Sequence, residues 1–139
     1  MATAATRHVT AQEISHAVIT AAMKVHTALG PGLLESTYTV CLQHELRKAG
    51  FNSEAQVALP VVYDGVKLPL GYRIDLMVED KVIVELKSVD GISPVHQAQL
   101  LSYLKLSGRS LGLLLNFNVL RLKDGIRRMV NGTGWQESA

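Results

Sequence analysis

Apolar residues recur every three or four positions between residues 14 and 29. This spacing places them on one face of a helix. Thr10 and Glu13 form the S/T-x-x-E pattern of a capping box, in which a side chain at each end satisfies a free backbone N–H of the other. The Gly-Pro-Gly sequence at residues 30–32 stops a helix. The pattern predicts a first helix that begins behind Thr10 and ends before this turn.

A second helix is predicted over about residues 33–48, and Gly50 closes it. Five of its side chains are spaced for one helical face, which we expect to pack on a core. These side chains are Leu34, Tyr38, Cys41, Leu42 and Leu46.

The hydrophobic period then changes from that of a helix to two, which is typical of strands. Residues 54–63 form the first predicted strand, and Pro60 within it indicates an edge position or a bulge. The Asp-Gly pair at residues 64–65 is a strong hairpin turn. Three further strands are predicted at residues 66–70, 72–78 and 82–88.

The last third of the chain returns to a helix and a buried strand. Ser93 and Pro94 supply an N-cap and a first-turn proline, so a helix is predicted from here to about Leu106. Residues 110–116 predict a buried strand, and residues 119–130 a small hairpin or a helical turn. The element order α-α-β-β-β-β-α-β indicates an α+β fold with helices packed on one mixed sheet.

Composition fits one domain with a sizeable core, since 47% of the 139 residues are hydrophobic. We assign this domain to residues 10–130, between a flexible leader at residues 1–9 and a flexible tail at residues 131–139. The net charge of +2 excludes a strongly polybasic protein but not a local nucleic-acid groove. The single cysteine, Cys41, suits a reducing compartment. We therefore expect a cytoplasmic protein without a membrane span.

Parity sets the register of the two strands predicted at residues 72–78 and 82–88. Residues that face each other across an antiparallel pair point to the same side of the sheet. A three-residue connection at residues 79–81 places Val78 opposite Val82, and the apolar residues of both strands then share one core face. These residues are Ile74, Leu76 and Val78 on one strand and Val82, Val84 and Leu86 on the other.

The same register places Asp75 opposite Glu85 and Arg73 opposite Lys87 on the second face. Two facing carboxylates repel each other by about 0.2–1 kcal/mol. A divalent cation such as Mg²⁺ or Mn²⁺ would compensate, because it prefers hard oxygen ligands. The spacing favours equally an ordinary charge cluster on a solvated sheet face, in which Lys87 and Arg73 balance the acids.

One motif resembles a known nuclease family. Asp75, a nine-residue gap and the Glu-Leu-Lys sequence at residues 85–87 match the D-x(n)-(D/E)-x-K pattern of the PD-(D/E)xK nuclease superfamily. Ile74 stands where that pattern usually has proline. The resemblance implies a restriction-endonuclease-like core, a mixed sheet flanked by helices.

Two flanking motifs extend this resemblance over about residues 10–130. Residues 32–38, Gly-Leu-Leu-Glu-Ser-Thr-Tyr, resemble the motif that names the GxxExxY family. Residues 99–103, Gln-Leu-Leu-Ser-Tyr, resemble the Q-L-x-x-Y motif of nucleases similar to the RecB nuclease domain. On this evidence the chain is identified as a member of the GxxExxY family.

The resemblance implies a metal-dependent nuclease that hydrolyses phosphodiester bonds by water attack, with DNA as the expected polymer because the related enzymes mostly cut DNA. Asp75 and Glu85 are expected to bind Mg²⁺ or Mn²⁺ together with the backbone carbonyl of Leu86 and with Glu35. Lys87 is expected to orient the attacking water and stabilise the charge on the phosphate.

Five further residues are candidates for supporting the site or contacting DNA: Gln99, Tyr103, Tyr38, Arg73 and His26. Several candidates also have an ordinary structural interpretation. Glu35 favours a helix start through the helix dipole, both tyrosines suit a core, Gln99 suits a solvated surface, and a lone histidine is usually structural.

Other functions stay open at this stage. The chain could be a non-catalytic module that keeps the nuclease fold and binds nucleic acid or a protein, and a homodimer is an alternative to a monomer. A basic cluster could follow a phosphate backbone or form a solvated surface. Its members are Arg109, Arg121, Lys123, Arg127 and Arg128. Aromatic residues, at 5%, are too sparse for an extensive base-stacking platform.

Overall fold

A computed structural model describes residues 8–132 of the chain. This part of the chain contains three α-helices and five strands, with a short 3₁₀-helix, Leu122–Gly125, before the last strand. The elements are α1 Ala11–Leu29, α2 Glu35–Lys48, β1 Ser53–Tyr63, β2 Val66–Val78, β3 Val82–Lys87, α3 Pro94–Ser107, β4 Leu111–Asn116 and β5 Ile126–Val130.

The α+β class is confirmed, and the element order differs from the prediction in two places. The strands predicted at residues 66–70 and 72–78 form one strand, β2, and residues 126–130 add the strand β5. The sheet register shifts around Pro60, as the proline predicted. There β1 contributes a single residue and β2 contributes residues 69–71, so the irregularity is a bulge within a continuing pair.

The sheet is mixed and runs in the order β1-β2-β3-β4-β5. β3 and β4 are parallel, and the other neighbours are antiparallel. A parallel pair needs a long crossover, which α3 supplies. β1 and β5 are therefore the edges of the sheet, and β3 is central.

Helices cover both faces of the sheet. α1 and α2 pack on one face, around Val18, Tyr38 and Leu76. α3 packs on the other face around Leu100, in a smaller cluster. It approaches β4 closely at Gly112, where an added Cβ would lie 2.8 Å from the Leu100 side chain.

The predicted helix starts at Thr10 and Ser93 are confirmed. The Thr10 hydroxyl accepts a hydrogen bond from the Glu13 amide at 3.0 Å, and the Glu13 carboxylate accepts one from the Thr10 amide at 3.2 Å. Gly30, with φ of 69°, caps the end of α1. No helix within residues 8–132 is long and apolar enough to cross a membrane.

α2 begins at Glu35, two residues later than predicted. Leu34 is therefore outside the helix and 73% exposed, so the prediction that it joins the apolar face is wrong. Cys41 is only partly buried. The rest of that face is fully buried: Tyr38, Leu42 and Leu46.

Residues just outside the predicted domain ends make contacts with the domain. Val9 is buried, and its carbonyl accepts a hydrogen bond from Lys81 Nζ at 2.6 Å. The Asn131 amide donates to the Ser110 carbonyl at 2.8 Å. Most of the predicted leader and tail, residues 1–7 and 133–139, lies outside the described residues.

Candidate active site

The register predicted between β2 and β3 is confirmed where both strands are apolar. Val78 lies opposite Val82 and Leu76 lies opposite Val84. The backbone ladder ends with this second pair, immediately before the two acids. The strands therefore separate at the point where the sequence predicts the site.

Where the backbone ladder ends, carboxyl groups accept the hydrogen bonds of the backbone N–H groups. The Asp75 amide donates to Glu85 Oε2 at 2.9 Å, and the Leu86 amide donates to Asp75 Oδ2 at 3.0 Å. Each acid thus reaches across the gap to the backbone of the opposite strand. The two acids do face each other, as predicted, but through their side chains and not as a ladder pair.

The prediction for Ile74 is wrong. Parity placed it with Leu76, yet Ile74 packs in the cluster under α3. Leu76 packs against α1 and α2 on the other face. The alternation of faces along β2 is therefore interrupted between Ile74 and Leu76.

Glu85 is buried, with an exposed fraction of 4%, and Asp75 is partly buried. Burial is the main cause that raises the pKa of Glu85, to about 8, and the adjacent Asp75 charge adds to it. Burial also raises the pKa of Asp75, and a hydrogen bond joins the two carboxyl groups. The pair therefore shares a proton at neutral pH. A solvated surface cluster is excluded for Glu85.

Lys87 lies two residues beyond Glu85 and so projects from the same face of β3. Its positive charge lowers the pKa of both acids, which places the ammonium group close to them. Two ion pairs form within residues 8–132, Lys48–Glu45 and Arg109–Asp80, and neither includes Lys87. The Lys87 ammonium is therefore near the acids without being bound directly to either.

The donor atoms suit a hard divalent cation. Along a strand, the N–H and C=O of one residue point to the same neighbour. The Leu86 amide points at Asp75, so the Leu86 carbonyl also faces the gap, whereas the Lys87 carbonyl turns away and accepts from the Phe117 amide at 2.9 Å. The described residues contain no group of three or more His, Cys, Asp or Glu side chains that could hold a metal. Two acids, one carbonyl and waters form the kind of set that Mg²⁺ accepts.

Glu35 joins the start of α2 to the end of β3. Its Oε2 atom accepts a hydrogen bond from the Ser88 amide at 3.1 Å, and the Ser88 hydroxyl donates to the Leu33 carbonyl at 2.7 Å. The charge of Glu35 also raises the pKa of Asp75 and of Glu85. Glu35 therefore lies near the acid pair. It is bonded to Ser88, the residue that follows Lys87 at the end of β3.

Tyr38 is buried away from the acids and organises the turn before α2. Its hydroxyl donates to the Gly30 carbonyl at 2.6 Å and accepts from the Leu33 amide at 3.1 Å. Its ring stacks on Phe117 with the centroids 4.4 Å apart. Tyr38 therefore contacts the turn that precedes Glu35.

Tyr103, on α3, lies near the acid pair, and Gln99 is bonded to it. Gln99 Nε2 donates to the Tyr103 hydroxyl at 3.2 Å. Burial raises the pKa of Tyr103, and the charges of Glu85 and Asp75 raise it further. Tyr103 is thus both a core residue of the α3 cluster and a neighbour of the acids.

Two predicted candidates are not brought to the acid pair. Arg73 is exposed and lies opposite Ala58 in the β1–β2 ladder, so its predicted pairing with Lys87 does not form. His26 is buried, and its Nε2 atom lies 2.8 Å from the Val119 carbonyl. Neither residue is among the charges that shift the pKa of Asp75 or Glu85.

Asn116 is a site-supporting residue that sequence reasoning missed. It is 1% exposed and lies opposite Lys87 at the end of β4. Its side chain accepts from the Val89 amide at 3.1 Å and donates to the Val89 carbonyl at 3.0 Å. These bonds hold the chain that follows Lys87. The one available signal was a polar residue at the end of an apolar strand.

A groove of about 560 Å³ opens between the start of α2 and the segment that follows β3. Glu35 and Ser88 line it, so the groove reaches the end of β3 next to Lys87. The other lining residues are Gly32, Leu33, Leu34, Ser36 and Asn118. The groove therefore lies at the end of β3, next in sequence to Lys87.

A family model described as the PD-(D/E)XK nuclease superfamily matches residues 12–129. No curated protein and no solved structure gives a match. The matched range runs from α1 into β5 and includes the acid pair. Together with the mixed sheet, the match confirms the predicted restriction-endonuclease-like core.

Proposed function

The chain belongs to the PD-(D/E)XK nuclease superfamily, and we propose that it is a metal-dependent nuclease that hydrolyses phosphodiester bonds in DNA. One observation carries this proposal. Asp75 and Glu85 are held together in a gap between separating strands, with the Lys87 ammonium close to both. Two adjacent acids that burial makes reluctant to ionise gain little for folding, whereas they suit a site that binds a cation.

Asp75 and Glu85 would hold Mg²⁺ or Mn²⁺, with the Leu86 carbonyl as a further ligand. Each carboxyl group uses one oxygen to accept a backbone N–H, which fixes its orientation. The proton that the pair shares occupies the place of a cation, and its loss leaves oxygen donors free to bind one. Such an ion, when bound, neutralises charge on a phosphate and makes a water molecule more acidic.

Lys87 has the role of orienting the attacking water and stabilising the negative charge that builds up on the phosphate. It lacks a direct carboxylate partner among the described residues, so its three N–H donors remain available. A donor aimed at developing charge in a partly buried site is more effective than one in water.

Glu35, Gln99 and Tyr103 complete the site from the two helices beside it. Glu35 fixes the end of β3 through the Ser88 amide and adds negative charge that favours cation binding. Gln99 holds the Tyr103 hydroxyl, and Tyr103 borders the acids on the α3 side. We assign Glu35 and Gln99 as positioning residues.

The test is a cleavage assay with Mg²⁺ or Mn²⁺ on single-stranded, duplex and branched DNA, with RNA as a comparison. We expect metal-dependent cleavage of DNA that Lys87→Ala abolishes while metal binding persists, because Lys87 is not a ligand. Asp75→Asn should lose both metal binding and cleavage. Cleavage that survives Lys87→Ala would overturn the proposed mechanism, and metal binding without cleavage of any polymer would favour a non-catalytic binding module.

A further inference from the structure

The β1–β2 hairpin carries an exposed apolar segment on the edge of the sheet. Leu59 is buried in the cluster under α3, but the hairpin beyond Pro60 is largely open to solvent. We call residues 61–70 the arm. Its large apolar side chains are 54% to 73% exposed at four positions, Val62, Tyr63, Val66 and Leu70.

One face of this hairpin forms a continuous apolar stripe. Cross-strand partners point to the same side, and the bulge keeps the faces in phase because it has one residue on β1 and three on β2. The face that Leu59 presents to α3 therefore continues to the tip of the arm. The stripe consists of the pairs Leu59–Tyr72, Val61–Leu68 and Tyr63–Val66.

The stripe ends at Tyr72, next to Tyr103. Tyr72 is 45% exposed, and its ring meets Tyr103 edge-on, with the centroids 6.3 Å apart and the planes at 66°. The charges of Glu85 and Asp75 in turn raise the pKa of Tyr103. Of the four tyrosines in the chain, three lie along this path: Tyr63, Tyr72 and Tyr103.

We propose that the stripe binds unpaired bases of a single-stranded nucleic acid, with Tyr72 stacked on a base next to the phosphate that is cut. This inference rests on the proposed nuclease function. Aromatic side chains bind any base through its π-face. In a duplex that face is already covered by the neighbouring base pair. A duplex would require basic side chains on this surface, yet the six residues of the stripe are all uncharged.

The dimensions and surroundings of the stripe fit a short single strand. From Tyr72, the exposed partner of the buried Leu59, to the Tyr63–Val66 pair the stripe spans four residues of β1, about 13 Å at roughly 3.3 Å per residue. This length matches about four bases stacked at roughly 3.4 Å. The cationic residues of this hairpin, Lys67 and Arg73, alternate with the stripe along β2 and belong to the other face. A second protein copy seated on Tyr72 would cover the Tyr103 end of the site and exclude the substrate.

Fluorescence anisotropy tests the proposal, with labelled single-stranded DNA, single-stranded RNA and duplex DNA of about 12 nucleotides or base pairs. Measurements in EDTA prevent metal-dependent cleavage. We expect Tyr72→Ala to weaken single-strand binding by about 5- to 150-fold, the loss of one stacked base. Tyr72→Phe should bind like wild type, because it keeps the ring. Val62→Ala, an exposed arm residue on the opposite face, is the matched control and should have no effect.

Equal single-strand binding by wild type and Tyr72→Ala would overturn the proposal, as would tighter binding of duplex than of single strands. A dimer that Tyr72→Ala converts to monomer without loss of single-strand binding would assign the stripe to a second copy instead. Cleavage separates the two proposals. Wild-type cleavage that ignores Tyr72 leaves the nuclease function standing without this inference, and Tyr72-dependent binding without any cleavage contradicts the nuclease function alone.

Discussion

The two halves of the β2–β3 pair are held together by different hydrogen bonds. Around Val78 and Val82 the strands are joined by backbone hydrogen bonds and present apolar side chains to the helices. At Asp75 and Glu85 the ladder is gone, and carboxyl oxygens receive the backbone N–H groups. Two acids can therefore lie between strands of a sheet where the backbone N–H groups donate to their carboxyl oxygens in place of the opposite strand's carbonyls.

The two halves also differ in what they contribute to the molecule. The paired half stabilises the fold through buried apolar area. The separated half holds carboxyl groups that burial makes reluctant to ionise. A bound cation would remove that penalty, so the separated half is where binding energy and function are expected.

The largest expected difference between the halves is a crossed effect: a substitution in the separated half lowers activity but not stability, and one in the paired half lowers stability but not activity. Glu85→Gln should reduce cleavage by at least about 10²-fold, since it removes a charge from the cation site. It should keep the fold, because Gln resembles the protonated acid. Leu76→Ala should cost about 2–5 kcal/mol of unfolding free energy, as a cavity in the core does, while folded molecules keep their activity.

Urea unfolding and cleavage rates per folded molecule measure this crossed effect. If Leu76→Ala removed activity from fully folded protein, or Glu85→Gln unfolded it, the division between the halves would be wrong.

Dependence of stability on pH should arise from the separated half. The pKa of Glu85 is about 8 in the folded state against an ordinary value of 4.5, so between these values the folded state binds the extra proton. Its stability without metal must then fall as pH rises from about 4.5 to about 8. Urea unfolding in EDTA at pH 5 and pH 8 should show a loss of a few kcal/mol that Glu85→Gln removes. The same slope in Glu85→Gln would assign the effect to another group.

A smaller effect separates the two roles of Asp75, as the acceptor of the Leu86 amide and as a proposed cation ligand. Asp75→Ala leaves the Leu86 amide without its acceptor, which costs about 1–3 kcal/mol. Asp75→Asn keeps an oxygen in that place and should retain most of the stability, although it loses the charge needed for a cation. Thermal unfolding of the two variants compares them, and equal destabilisation would show that the hydrogen bond does not hold the gap.

Parity reasoning succeeded in the paired half because both strands carry alternating apolar residues there. Val78 and Val82 could be matched from sequence for that reason. The separation at Asp75 could not be predicted, since a side chain that replaces a backbone bond leaves no mark on periodicity. The change of face between Ile74 and Leu76 likewise leaves no mark on the apolar pattern, so Ile74 was assigned to the wrong face.

Two other features depend on contacts that lie far apart in the chain. Pro69 and Gly71 resemble strand breakers, yet β1 continues to pair across them and makes β2 one strand. Asn116 meets the end of β3 only because α3 returns the chain to lie parallel to that strand. Motifs placed the acids, Lys87 and Glu35, but local pattern could not reveal their supports.

Calorimetric titration of Mn²⁺ into the protein at pH 7, in two buffers of different ionisation enthalpy, tests most directly that the two strands' acids share one cation site. Wild type should bind the ion with release of about one proton, the one held by Asp75 and Glu85, and Glu85→Gln should bind it at least about tenfold more weakly. Binding without proton release, or equal affinity in Glu85→Gln, would contradict a site built on this pair.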